Sequence, residues 1–316
     1  MGVVALVTLV GCSMGSSGPT LADQGAATTA RAATTTTATI SANAQPGTVA
    51  VTTPTGVVLL WQGRNTEGQI VRTPCQRTTT LAKVSPVTDV DVLIDPGHGG
   101  IDPGSLTKSL TESKLNLAIA QRVRDQLVAS GYSVVLLRQS DYFVSVTDRG
   151  AMAAAIHPKL LLSLHHNAGL EQPRDNGPGT EVYFRNEDAE SQRLAGLLYE
   201  DVSASLRSAF AIRWSSNLNQ GARPRIESDG ADFYGILRIT EGVPAVLLEA
   251  AYMSAMAESA IVGTDAFRDA EATGIARAIG RWFTTADPGT GLKEPVVEDG
   301  DALYTDLSEC VDPKLS

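Results

Sequence analysis

The chain has 316 residues, with 25 Lys and Arg against 35 Asp and Glu, a formal charge of −10, four His and three Cys. That length predicts one or two domains and a sizeable core. The acidic balance argues against a nonspecific nucleic-acid binder, which needs a basic stripe; three Cys with no Cys-x-x-Cys pair exclude a disulfide-dense scaffold and a zinc ribbon.

Residues 1–12 read as an export signal. A short apolar run from Met1 closes on small residues and Cys12, too brief to span a bilayer. Leu9-Val10-Gly11-Cys12 resembles a bacterial lipobox, in which Cys12 would carry a lipid anchor, although no Lys or Arg precedes the run. The expected location is therefore outside the cytoplasm, in the cell envelope. Residues 13–50 are rich in Ala, Thr, Ser and Gly and cannot bury enough apolar area to offset their ordering entropy, so a flexible linker is expected. Residues 51–88 form an N-terminal arm with a strand-like piece at Gly56–Trp61 and with Cys75; the pattern does not place it further.

From residue 89 to 285 apolar runs alternate with amphipathic stretches. Strands are expected at Val90–Asp95, Ser133–Arg138, Leu160–His165, Thr180–Phe184 and Ala245–Glu249. A helix is expected to open at Thr111 as N-cap, with Leu115, Ala118, Ile119, Val123 and Leu127 on one face before Gly131 stops it. Others are expected over 147–156, 189–209 and 266–284. This alternation predicts a single α/β domain with a mostly parallel mixed sheet flanked by helices. Residues 286–316 form an acidic tail: between Asp287 and Asp312 eight acids face one Lys, −7 of the net −10, expected as a solvated run.

In such sheets ligands bind at the carboxyl ends of strands, and three of those ends are unusual. His98 lies in the Gly-rich loop after the first strand, His165 and His166 end another, and Glu249 closes a four-residue apolar run. Glu112 starts the helix after the first loop, where the dipole favours any acid. Two imidazoles and a carboxylate with one position left open form a hydrolytic zinc site, and a second carboxylate is needed to move the proton. His165 and His166 point to opposite faces of a strand, so one alone can face a metal. His157, before Pro158, reads as a surface residue at a helix end. Pro96–Gly104 does not fit a dinucleotide loop, because Asp102-Pro103 interrupts the run into a helix. No Gly-x-Ser-x-Gly elbow supports a serine hydrolase.

The strings DPGHGG (95–100), TESKLNLAIA (111–120), LLRQSD (136–141), SLHHNA (163–168) and PAVLLEAAYMS (244–254) together resemble the zinc-dependent N-acetylmuramoyl-L-alanine amidases of the amidase-3 type, over about residues 90–284. Pro178–Tyr183 and the His pair look most like actinobacterial members. The resemblance implies Zn2+ as cofactor, His98, Glu112 and His165 as metal ligands, and Glu249 as catalytic carboxylate. It implies peptidoglycan as substrate, cut at the amide between N-acetylmuramic acid and L-alanine, with no nucleic-acid partner and a monomeric enzyme. Asp95, Asp102 and Asn167 are candidates to orient the ligands, and Arg149 matches a family Arg expected in a structural ion pair. Ala255 departs from the family, which commonly has Asn there. No long helix interrupts the matched region, so an open enzyme needing no activator is expected. A peptidoglycan endopeptidase with the same site, or a wall-binding protein without turnover, are the alternatives. Cys75 and Cys310 bracket the α/β region and can pair in an oxidising compartment; the sequence leaves that open.

Overall fold

The structure, a computed structural model, describes residues 39–168, 179–211, 220–254, 259–300 and 305–316. The expected export signal, Cys12, most of the linker, Pro178, Ala255 and Asp301 lie outside them.

The 51–88 arm is a folded sheet. Strands β1 (Ala50–Thr52), β2 (Val58–Arg64), β3 (Gln69–Arg72), β4 (Thr78–Leu81) and β5 (Ser85–Pro86) pair antiparallel in the order β4-β3-β2-β1-β5. The strands are short, and their apolar residues find partners far along the chain. Val51, Val58, Leu59 and Leu60 share one buried cluster with Leu93, Leu161 and Leu247.

The expected α/β arrangement is borne out. The second sheet contains β6 (Val92–Pro96), β7 (Val134–Leu136), β8 (Leu160–Asn167), β9 (Glu181–Phe184), β10 (Gly221–Arg223) and β12 (Ala245–Tyr252), ordered β10-β9-β12-β8-β6-β7. Its pairs are parallel except β12 with β9. Five of these strands were legible as apolar runs, and their ends fall within two residues of the expected limits apart from β12, which runs three residues further.

Helix α1 (Glu112–Ala129) follows β6, α2 (Val146–Ile156) precedes β8, and α3 (Ala189–Phe210), the short α4 (Gly235–Ile239) and α5 (Asp265–Thr284) complete the layers. Residues of α1, α3 and α5 cover one sheet face, where Leu115, Ile119, Leu194, Leu198, Phe267 and Ile275 meet Leu162, Leu164 and Val246. Each such side chain, fully buried, contributes roughly 1.5–3 kcal/mol. The other face packs on α2, α4 and the first sheet. Thr111 is the N-cap of α1, but its side chain makes no capping bond. The loop before it does that work: Glu112 N donates to Ser105 O at 3.0 Å and Ser113 N to Pro103 O at 3.1 Å. His157 is the exposed, left-handed C-cap of α2.

The described part of the tail keeps most of its acids exposed, yet several of them have fixed partners. β11 (Arg225–Ile226) pairs with β13 (Val296–Val297). Asp287 bonds Arg281, Glu298 meets Arg225 at 2.7 Å, and Asp299 accepts from Ser228 N at 2.7 Å. Asp312 accepts from Cys75 N at 2.8 Å and from Arg77 at 3.1 Å. Cys310 forms a disulfide with Cys75, 235 residues away. Glu298, Asp299 and Asp312 meet groups distant in sequence, which a count of charge along the tail cannot reveal. Among the described residues no helix is long and apolar enough to cross a membrane.

Candidate active site

The strand ends β6, β8 and β12 and the start of α1 converge. His98 sits in the loop leaving β6, in a left-handed conformation with φ 62°. Two buried guanidinium groups hold that loop. Arg138 donates to Pro96 O (2.8 Å), Gly97 O (2.9 Å) and Ser113 O (2.7 Å), tying the loop to the first turn of α1. Arg149 donates to Pro96 O (2.9 Å) and His98 O (2.6 Å) and pairs with Asp95, the ion pair expected of it.

Glu112 stands between two imidazoles. Its Oε1 lies 3.2 Å from His98 Nε2 and 3.0 Å from His165 Nδ1, and its Oε2 accepts from Ser105 N at 2.8 Å. His98 and His165 meet edge to face, ring centroids 4.8 Å apart. Donor atoms of His98, Glu112 and His165 all fall within 4.8 Å of one another, a grouping able to hold a metal ion. The loops admit this only because two residues lack a Cβ. At Gly97 a Cβ would lie 2.2 Å from His165 Cε1; at Gly104, φ 65°, it would lie 2.6 Å from His98 Cδ2 and 2.7 Å from Glu112 Oε2.

Of the three candidates to orient the ligands, Asp102 does so directly, its Oδ2 2.9 Å from His98 Nδ1. Asp95 turns to Arg149 and Ser163, and Asn167 to Glu181. His166 faces the opposite side of β8. Its ring is wholly buried, Nδ1 on Asn116 Oδ1 at 2.8 Å and Nε2 on Glu271 Oε2 at 3.0 Å, so it packs and does not line the site.

Glu249 is buried on β12 in direct register with His165 of β8. Its Oε2 has no hydrogen-bond partner among the described residues. Across the antiparallel pair it faces Glu181, a residue the sequence reading passed over. Glu181 accepts from Asn167 Nδ2 (3.1 Å), Tyr183 OH (2.6 Å) and Tyr252 OH (3.0 Å). An acid two positions before a tyrosine at a strand start was the available signal, but only the antiparallel pairing brings it to Glu249. Arg138 and the two glycines also escaped notice as parts of the site.

Burial, with Glu112 and Glu181 nearby, pushes the Glu249 carboxyl well above the usual range. Burial would raise Glu112 too, yet hydrogen bonds from His165 and His98 hold it well below. The imidazoles move apart although both touch Glu112. Burial prevails at His165 and lowers it. At His98, burial is outweighed by hydrogen bonds to Asp102 and Glu112, which lift it to about 9. Carboxyls driven in opposite directions a few ångströms from two imidazoles suit ligation by one and proton transfer by the other.

The sequence model of the N-acetylmuramoyl-L-alanine amidase family matches residues 92–281. The chain belongs to that family. The amidase is 31% identical over 207 residues to the N-acetylmuramoyl-L-alanine amidase LytC of Bacillus subtilis, 65% of this chain and 38% of LytC. With YqiI of the same organism it shares 29% over 215 residues, 66% of this chain and 94% of YqiI. Among solved structures, the amidase AmiC2 of Nostoc punctiforme superposes with a TM-score of 0.52 at 26% identity, covering 62% of this chain and 97% of AmiC2. The matched region spans less than two thirds of LytC and nearly all of AmiC2. Membership makes the chain a peptidoglycan amidase of mixed α/β architecture.

Proposed function

We propose that the chain is an exported, zinc-dependent amidase that hydrolyses the bond between N-acetylmuramic acid and L-alanine in cell-wall remodelling. The observation that carries this is the pairing of a compact His98–Glu112–His165 donor set with Glu249, whose buried Oε2 has no hydrogen-bond partner among the described residues. The donors fit zinc: two imidazole nitrogens and a carboxylate oxygen, with His98 steadied by Asp102 through its other nitrogen, as zinc-bound imidazoles usually are. Three protein ligands leave a position open.

His98, Glu112 and His165 would hold the ion, which when bound supplies a Lewis acid for the scissile carbonyl and brings the pKa of water to about 7. Glu249 receives the proton of the attacking water and delivers it to the departing amine of L-alanine; a carboxyl pushed up by burial is a stronger base for the first act than an ordinary one. Asp102 fixes the His98 tautomer. Arg138 and Arg149 keep the loop carbonyls in place, so the histidine arrives in position without further ordering.

The proposed organisation is an export signal over 1–12 with a lipid anchor at Cys12, a linker over 13–50, the 51–88 arm, the catalytic region over 89–285 and the acidic tail over 286–316, acting as a monomer. The Cys75–Cys310 disulfide supports an oxidising location. Digestion of purified peptidoglycan with zinc-loaded protein tests the reaction. Free stem peptides that begin in L-alanine support it; peptides split internally mean an endopeptidase, and intact wall means a binder.

A further inference from the structure

Arg225, the first residue of β11, is built into an aromatic frame. Its guanidinium sits 3.9 Å from the ring centroid of Phe233, 5.4 Å from Tyr234 and 5.9 Å from Tyr183. It donates to Tyr234 OH at 2.8 Å. Tyr183 hydrogen-bonds Glu181, which faces Glu249, so the frame is continuous with the proposed proton-transfer residue. An arginine packed against aromatic rings and bonded to Tyr234 has its fork restrained in advance, which suits a carboxylate.

What meets the fork is an acid from the tail. Glu298 Oε2 lies 2.7 Å from Arg225 Nη2, brought there by the pairing of β13 with β11 and by Glu298 N donating to Ile226 O at 2.9 Å. The Arg225 side chain is 21% exposed and that of Glu298 53%. Exposed ion pairs are weak, so an incoming carboxylate can displace Glu298 at small cost while Arg225 keeps its frame.

We propose that Arg225 is the subsite for a carboxylate of the peptide stem, and that Glu298 of the C-terminal strap occupies it until substrate arrives. This rests on the amidase reading, since the peptide released from the muramoyl group carries carboxylates at a short distance from the cut amide. The strap then acts as a competing ligand, and the enzyme favours stems with free carboxylates over amidated ones.

Binding of the released product separates this from the reaction itself. Titration calorimetry of the zinc-loaded full chain would use a soluble L-alanyl stem peptide as the free acid and as its carboxamide. The acid should bind about tenfold tighter than the carboxamide. R225M should abolish that preference, R225K should restore part of it, and E298Q should tighten binding of the acid about two- to fivefold. Equal binding of acid and carboxamide by the wild-type protein, or a preference that survives in R225M at unchanged melting temperature, overturns the subsite. Acid binding unaltered by E298Q overturns the strap's part. Cleavage of the corresponding muramoyl peptide is scored separately, so a failed amidase assay leaves the binding result readable.

Discussion

Glu249 and Glu181 stand opposite each other across the antiparallel β12–β9 pair, two buried carboxyl groups in direct register. Glu181 has three hydrogen-bond donors, whereas Glu249 Oε2 has none among the described residues. The asymmetry divides the roles. Glu181 is satisfied by the protein and sets the field, and Glu249 is left to exchange a proton.

The pH dependence of the reaction should follow from this pair. Attack requires the Glu249 carboxylate, and its pKa is raised first by burial and then by Glu112 and Glu181, so activity falls on the acid side at a pH above the ordinary carboxylate range. Removing one like charge lowers that pKa, so E181Q should move the acid limb of kcat/KM to lower pH. E249Q should bind zinc normally and lose turnover by about 10²–10⁴-fold. Rate profiles over pH and metal content by mass spectrometry check both; an unmoved limb in E181Q removes the role given to Glu181.

Asp102 holds His98 at the nitrogen away from Glu112. D102N should weaken zinc binding by about 10–100-fold, as loss of an orienting partner does, with little change in melting temperature because Asp102 is part-exposed. Chelator competition measures the affinity. H98A should lose metal and activity together.

Gly97 and Gly104 make room for the two imidazoles. A methyl group at either position collides with a donor residue, and at Gly104 the positive φ adds strain. G97A and G104A should therefore fold and bind zinc poorly, where an alanine at the open Gly131, with no atom within 4 Å of its Cβ position, should retain binding. Circular dichroism with zinc titration distinguishes local from global damage.

The Asp95–Arg149 pair should govern acid stability. Burial pushes the Asp95 carboxyl up, but Arg149, followed by His165 and Ser163, brings it below its ordinary value of 3.8. A depressed carboxyl stabilises the fold above its unfolded pKa and loses that contribution as pH falls through the folded value. D95N should thus cost about 3–5 kcal/mol at neutral pH, since it leaves a buried guanidinium unpaired. The gap to the wild-type protein should narrow below about pH 3.8. Denaturant unfolding at several pH values tests the sign.

The disulfide packs with Phe143, Leu307 and Ile101, and Ile101 directly follows the His98 loop. The double variant C75S/C310S should lose about 2–5 kcal/mol of stability and bind zinc less tightly, because the support under that loop is weakened. Melting temperature and zinc affinity with and without reductant provide the check.

The α/β core was legible because its strands are short apolar runs and its helices carry a clear apolar face. His98, His165 and Glu249 were legible because they fall at the ends of apolar strands, where polar residues are costly without a partner; Glu112 was singled out as a ligand by the family resemblance. Of the arm only β2 was legible, as the strand-like piece at Gly56–Trp61; the other four strands are two to four residues long, too short for a pattern, and the arm buries its apolar residues against Leu93, Leu161 and Leu247. The tail's fixed contacts were not legible either: Glu298 and Asp312 have partners 73 and 235 residues away at Arg225 and Arg77.

Strand and helix periodicity, with a few unusual residues at element ends, was enough to give the sheet, its helices and the residues able to do chemistry. Alternation along β8 put His165 and His166 on opposite faces, and the family resemblance picked His165. Tertiary structure decided that Glu181 faces Glu249, that Asp102 rather than Asp95 holds His98, that Cys75 joins Cys310, and that the strap covers Arg225. Periodicity is a property of neighbouring residues, and it specifies which face a side chain takes. Which distant face it meets depends on strand order, register and loop path, and these are fixed only when the whole core packs.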